Sequence, residues 1–292
     1  LTSGLTRNSC TNIATLKKTM PELPEVEVSR LGLLPLVGQR LISFVARREG
    51  LRLPFPPNLD DRLGGLELSE IRRCGKYMLF HWPKAKGWLI LHLGMSGSLR
   101  LVLSPFPEPL RHDHVDFVFP GVILRFRDPR RFGLIAWQAG DDPIKHPLLA
   151  KLGMEPLSPE FTPEWLIRLA AGRKTPIKSL IMNANFLVGV GNIYAAESLY
   201  KAGISPFREA RKVKEEELAA LANAIGVTLN EAIAAGGSSL RDYVHSDGGA
   251  GSFQLQCAVY GREGLPCVNC GTEILRAPLA GRASFYCPAC QS

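Results

Sequence analysis

The sequence predicts an α+β chain of several domains, with strands first, helices next and a small cysteine-bearing module last. Three observations carry this. The 292 residues are about twice the ~150 expected per domain, so two or three domains are expected. Short apolar or alternating runs fill roughly residues 40 to 137, whereas beyond 163 the apolar residues recur at helical spacing. Four of the seven cysteines fall as two C-x-x-C pairs in the last 26 residues.

Residues 1–19 carry Arg7, Lys17 and Lys18, no acid, and no apolar core of signal-peptide length. They resemble an organelle transit peptide in composition, but they read as an upstream extension absent from the mature protein, with Met20 as the working start. Residues 22–38 place Val26, Leu33, Leu34 and Val37 at helical spacing, with Pro24 in the first turn and Glu22, Glu25 and Glu27 at the positive end of the dipole. The runs LISFVAR, LELSEI, KYMLFHW, GWLILHL, DHVDFVF, VILRFRD and FGLIAW read as strands of a β-sandwich or barrel. AGDDPIKHP (139–147) reads as a linker. Helices are expected at 163–173, 176–184, 191–202, 214–235 and 238–245, and a glycine-rich loop at 246–252. No internal repeat is present.

There are 35 basic and 27 acidic side chains, a net charge of +8, of which +3 belongs to the first nineteen residues. The excess points to a polyanionic partner, nucleic acid first. No uncharged apolar run reaches the roughly 18 residues of a membrane-spanning helix, so an integral membrane protein is excluded at this level.

Cys267, Cys270, Cys287 and Cys290 form PCVNC, sixteen intervening residues, then CPAC. Two knuckles at this separation place four thiolates on one tetrahedral Zn²⁺, and four sulfurs leave no open position, so the metal is structural. Redox dithiols are the alternative. Cys10, Cys74 and Cys257 stand apart and read as ordinary thiols.

Basic residues cluster at Arg72, Arg73 and Lys76, at Arg125, Arg127, Arg130 and Arg131 with Phe132 behind them, and at Arg173, Lys174 and Lys178. Each alone reads as a solvated face; together they suit a groove that follows a phosphate backbone. GVGNIY (189–194) opens a helix and offers backbone N–H groups and Asn192 to an anion.

Met20-Pro-Glu-Leu-Pro-Glu-Val-Glu27 resembles the amino-terminal signature of the formamidopyrimidine-DNA glycosylase family. The resemblance continues through RRCGKY (72–77), LGMSGSLR (93–100), HDHVD (112–116), DPRRFG (128–133), GVGNIYA (189–195) and the four cysteines, in order over 20–292. It implies an N-terminal β-sandwich with flanking helices (20–138), a linker (139–150), a helix–two-turn–helix DNA-binding domain with a lesion-capping loop (151–252) and a zinc finger (253–292). It implies excision of oxidised purines from duplex DNA, then strand cleavage by β,δ-elimination.

The resemblance also implies roles. Pro21, once the methionine is removed, is the nucleophile that forms a Schiff base; Glu22 protonates the sugar oxygen. Lys76 binds phosphate and assists proton transfer, and Arg282 grips phosphates and is linked to the second elimination. Met95, Arg130 and Phe132 fill the space that the flipped base leaves. His112, Arg130, Arg173, Lys174, Lys178 and Asn192 contact DNA, and Ser238, Ser239, Leu240, Arg241, Asp242 and Tyr243 cap the lesion. Arg173 stands where the family often has lysine, and Cys74 where arginine or a small residue is common. The resemblance implies double-stranded DNA with oxidised bases or abasic sites as partner, one structural Zn²⁺, a monomer and a bacterial cytoplasm. Two other readings are an endonuclease VIII-like enzyme for oxidised pyrimidines, and a non-catalytic zinc-ribbon protein if residues 1–19 are retained.

Overall fold

A computed structural model of the chain describes residues 20–237 and 256–292. The extension at 1–19, the helix and loop expected over 238–252, and Ser238, Ser239, Leu240, Arg241, Asp242 and Tyr243 lie outside the described residues.

Helix α1 spans Leu23–Gly32 and is set by its sequence at both ends. Pro24 sits in the first turn, where its missing N–H is no loss, and Glu25 Oε2 accepts the Glu22 backbone N–H at 2.9 Å. The expected helix over 22–38 ends early: Pro35 cannot continue the ladder, so only a 3-10 turn, Leu34–Leu36, follows.

The strands form a sandwich and not a barrel. One antiparallel sheet is ordered β1 (Ser43–Ala46), β6 (Asp113–Phe119), β7 (Val122–Arg127), β5 (Ser98–Leu103). The other is ordered β2 (Glu70–Cys74), β3 (Tyr77–Trp82), β4 (Gly87–His92), β8 (Leu134–Ala139). The alternation of strand side chains explains the layers. Met78, Phe80, Leu89 and Leu91 face Phe117, Leu124 and Phe126 of the first sheet. Their neighbours Leu79, Trp88 and Ile90 are equally apolar and face the other way.

That second apolar face needs a cover, and the segment read as a linker supplies it. Leu149 is buried against Leu79, Trp88 and Ile90, with Leu148 and Leu152 beside it. The strand reading is shifted at LELSEI, where Leu66 and Leu68 hydrogen-bond back to Leu41, Gly38 and Gln39 and β2 starts only at Glu70. It also passes over β5 and the short helix α2, Leu59–Leu63.

Beyond the sandwich come α3 (Pro163–Ala170), α4 (Ile177–Ile181), α5 (Asn192–Lys201) and α6 (Glu215–Ala234). Thr162 caps α3 by accepting the Trp165 N–H at 3.3 Å, and three glutamates open α6. Helix α1 joins the two cores, because Leu23 packs among the helices while Val26 and Val28 pack in the sandwich. Its N-terminus therefore lies at the junction. A second tie is Arg73, which donates to Glu27 and Glu155 at 2.8 Å each, while the Gly75 N–H donates to Glu155 at 3.0 Å. The chain ends in a hairpin of β9 (Leu275–Leu279) and β10 (Arg282–Tyr286) beside the four cysteines. Among the described residues no helix is long and apolar enough to cross a membrane.

Candidate active site

Glu22 sits where α1 and α5 meet, with 4% of its surface exposed. The Leu23 N–H donates to Gly189 O at 3.1 Å, and the Ile193 N–H donates to Glu22 Oε1 at 3.3 Å. The group received at the start of α5 is thus this carboxyl from the chain itself. Gly191 makes the approach possible, since a Cβ there would lie 2.1 Å from the Glu22 carboxyl carbon. Burial pushes the Glu22 carboxyl up to about 7, with Lys76 pulling it down and Glu25 pushing it up. Its Oε2 finds no hydrogen-bond partner among the described residues. Glu25, which sequence reasoning treats only as a dipole acid, is buried and accepts the Tyr194 hydroxyl at 2.5 Å. Pro21 immediately precedes Glu22 and is also buried.

Lys76 lies in the two-residue turn between β2 and β3 and lines a cavity of about 220 Å³ with Gly191, Arg282 and His92. Burial lowers its pKa, against Glu22, which raises it. His92 is the residue that sequence reasoning missed. It pairs with Tyr77 across β3 and β4, and burial, with Arg52 and Lys76 nearby, drives its ring down to about 3, so it is neutral. Strand register brings it there, and no local motif marks it.

Arg282 reaches this cavity from the first position of β10. The hairpin is docked by two residues expected to contact DNA. Lys178 Nζ donates to Ser284 Oγ at 2.8 Å and Ala283 O at 3.2 Å, and Asn192 Nδ2 donates to Ala283 O at 2.9 Å. Lys178 is 2% exposed, and burial lowers its pKa to about 8. It also lines a neighbouring cavity with Arg282.

The loop that carries Met95 meets the loop that carries Arg130 and Phe132. Phe132 is 41% exposed, and the Arg130 guanidinium stands 5.0 Å over its ring. The Arg130 N–H donates to Ser96 Oγ at 3.0 Å, beside Met95.

The basic clusters divide. Arg130, Arg131, Arg173 and Lys174 are exposed and His112 is half-buried. Arg173 stacks 4.6 Å over Phe186. Arg125 is instead buried and bonds Asp116 through two nitrogens at 2.9 Å each, and Arg127 lies 3.6 Å from Asp113. Arg73 is spent on Glu27 and Glu155. The strand core and the domain junction claim these cations, so they do not form the groove that charge alone suggested.

The four cysteine sulfurs lie within 4.8 Å of one another, with Cys267–Cys290 at 3.9 Å and Cys270–Cys287 at 3.5 Å. Zn–S bonds of about 2.3 Å in a tetrahedron require edges of about 3.8 Å, so the set fits. Matching turns build it: the Gly271 N–H donates to Cys267 O at 3.0 Å and the Gln291 N–H to Cys287 O at 3.1 Å.

Comparison with known proteins matches three family models in order. They are the formamidopyrimidine-DNA glycosylase N-terminal domain over 20–135, the formamidopyrimidine-DNA glycosylase H2TH domain over 152–244, and the zinc finger found in FPG and IleRS over 264–292. The module therefore carries one structural zinc site. The formamidopyrimidine-DNA glycosylase of Dechloromonas aromatica is 52% identical over 277 residues, covering 93% of this chain and all of that one. The crystal structure of the MutM (FPG) protein of Thermus thermophilus matches with a TM-score of 0.81 at 42% identity, over 93% of this chain and 98% of that one. A mutant Lactococcus lactis FPG solved with a Fapy-dG containing DNA matches at 0.85 and 34%, over 93% of this chain and all of that one.

Proposed function

The chain belongs to the formamidopyrimidine-DNA glycosylase family, and from that premise we propose that it is a base-excision repair enzyme. It removes oxidised purines, 8-oxoguanine and formamidopyrimidines, from duplex DNA and cleaves the abasic strand by β,δ-elimination. The observation that carries this is Glu22, a carboxyl kept protonated toward neutral pH by burial, next in sequence to Pro21 and beside Lys76.

Pro21 acts as an N-terminal secondary amine, whose neutral form carries the nucleophilic lone pair. Joined to Met20 its nitrogen is a tertiary amide and inert, so the reactive form starts at Pro21. The amine attacks C1′ of the deoxyribose, the bond to the base breaks with its electron pair leaving on the base, and the proton shed by the amine passes to the departing base. The C1′–O4′ bond then opens, Glu22 protonates O4′, and an iminium joins Pro21 to the sugar. The iminium acidifies the C2′ proton; its removal expels the 3′ phosphate, and a second elimination expels the 5′ phosphate. Lys76 holds phosphate and assists proton transfer, and Arg282 supports the second elimination.

An enzyme of this kind must extrude its target base. Met95, Arg130 and Phe132 fill the gap, with Arg130 on the orphaned cytosine. His112, Arg173 and Lys174 bind phosphates from the surface, while Lys178 and Asn192 do so beside the β9–β10 hairpin. Ser238, Ser239, Leu240, Arg241, Asp242 and Tyr243 close over the flipped base. The working units are 20–138, 151–252 and 253–292, joined by 139–150. The protein acts as a monomer in a bacterial cytoplasm. The structural zinc, held by Cys267, Cys270, Cys287 and Cys290, ties the two knuckles together and has no part in the reaction.

Borohydride reduction tests the reading. The form starting at Pro21 should be trapped on an 8-oxoguanine duplex. Equal trapping on a chain that keeps residues 1–19 would assign the chemistry to another amine, and faster turnover of thymine-glycol duplexes would move the substrate to oxidised pyrimidines.

A further inference from the structure

Asp128 is a fully buried carboxylate at the base of the loop that bears Arg130 and Phe132. Burying such a group is unfavourable unless its oxygens are satisfied, and here both are taken by the two loops that carry the void-filling side chains. Ser96 Oγ donates to Oδ1 at 2.5 Å, and the Gly133 N–H donates to Oδ2 at 2.8 Å. The Ser96 hydroxyl then accepts the Arg130 N–H at 3.0 Å. The Asp128 backbone adds a third attachment, its N–H donating to His112 O at 3.0 Å.

The placement is systematic. Met95 is one peptide from Ser96, Phe132 is one peptide from Gly133, and Arg130 is held by its own N–H. The loop backbones also touch directly. Gly94 has φ +67°, and a Cβ there would lie 2.4 Å from the Phe132 carbonyl carbon.

We propose that Ser96 and Asp128 are positioning residues that hold Met95, Arg130 and Phe132 as one rigid wedge, so that eversion of the base and reading of its partner depend on the Ser96–Asp128 bridge. The proposal rests on the void-filling reading above. A wedge must keep its shape against a base stack that resists opening, and two loosely coupled loops would yield instead. The serine hydroxyl suits the junction because it donates to Asp128 and accepts from Arg130 at once; alanine removes both bonds.

The test compares two substrates in single turnover: 8-oxoguanine opposite cytosine, where the base must be everted, and a preformed abasic site, where no base remains. Ser96→Ala should slow base release about 100-fold, the scale of a small misplacement, while cleavage of the abasic site changes less than about 3-fold. Its binding preference for a tetrahydrofuran site opposite cytosine over adenine should flatten, and Ser96→Thr should restore it. Combined with Phe132→Ala, the loss in base release should be smaller than the product of the single losses, because Ser96 acts through Phe132. Wild-type base release in Ser96→Ala, equal loss on both substrates, or multiplicative losses in the double variant would each overturn the proposal. A wild-type protein that binds the tetrahydrofuran site with a cytosine preference flattened by Ser96→Ala, yet releases no oxidised purine, would sink the proposed activity and leave the bridge standing.

Discussion

Glu22 and Arg130 face the same proposed reaction with opposite physics. Glu22 is buried at a helix junction, and its surroundings move its pKa from the usual carboxylate range up to about 7. Arg130 is exposed, and its guanidinium leans on the partly exposed ring of Phe132. Proton transfer needs a displaced pKa, and burial displaces it. Reading a base edge needs donors that reach outward, and burial would forbid it. On the proposed reading, the chemistry lies in the buried junction and the recognition on an exposed loop.

The largest effect tests the buried side. Glu22→Gln should slow base release by about 10²–10⁴-fold, the usual range for a general acid, while leaving binding to a tetrahydrofuran duplex nearly intact. The sign of the pH dependence follows from the raised pKa: the carboxyl keeps its proton up to about 7 and loses it above. The Pro21 amine must be neutral, which favours higher pH, so wild type should show a bell with one flank set by Glu22 near 7 and the other by the amine. The residual rate of Glu22→Gln should keep only the flank of the amine; an unchanged bell would remove Glu22 from the acid role.

Next in size is the support of the cavity that Arg282 lines. Cys287→Ser should release the hairpin carrying Arg282 and abolish tight binding to an abasic-site analogue, since the small module has few buried apolar residues of its own. The sandwich transition in a thermal melt should stay in place, because its core lies in the other half of the molecule. Normal affinity with no metal bound would refute the structural role.

Arg130→Ala should cost roughly 1–3 kcal/mol of discrimination, confined to lesions opposite cytosine. Uniform loss opposite every base would make Arg130 a phosphate ligand and dissolve the comparison. The smallest expected effect belongs to Lys76→Ala, which should weaken binding about equally opposite every base and lower the salt slope by about one unit. Because Lys76 pulls the Glu22 pKa down, its loss should also move the flank assigned to Glu22 to higher pH. A flank that stays in place would separate the two residues.

Much of the fold was legible. Strand runs such as DHVDFVF and KYMLFHW match β6 and β3 closely, because a short apolar run is read from adjacent residues alone. The helix over 22–38 failed at Pro35, a signal present in the sequence but outweighed by apolar spacing. Charge was the least reliable guide: Arg125 and Arg73 stand in basic stretches, yet their partners Asp116, Glu27 and Glu155 lie 9 to 82 residues away.

The sequence by itself determined the cysteine set, the order of strand-rich and helix-rich regions, and the motifs that mark the family. Each rests on spacing within a few residues, or on residue types in order, and neither requires knowing how the chain packs. Only the tertiary structure decided that Glu22 would occupy the start of α5, 171 residues away, that Lys178 would turn to the hairpin backbone, and that His92 would enter the cavity wall. These depend on which apolar faces meet. Leu23 in the helical core and Val26 in the sandwich core fix where α1 lies, and the charges at its N-terminus take their chemistry from that position.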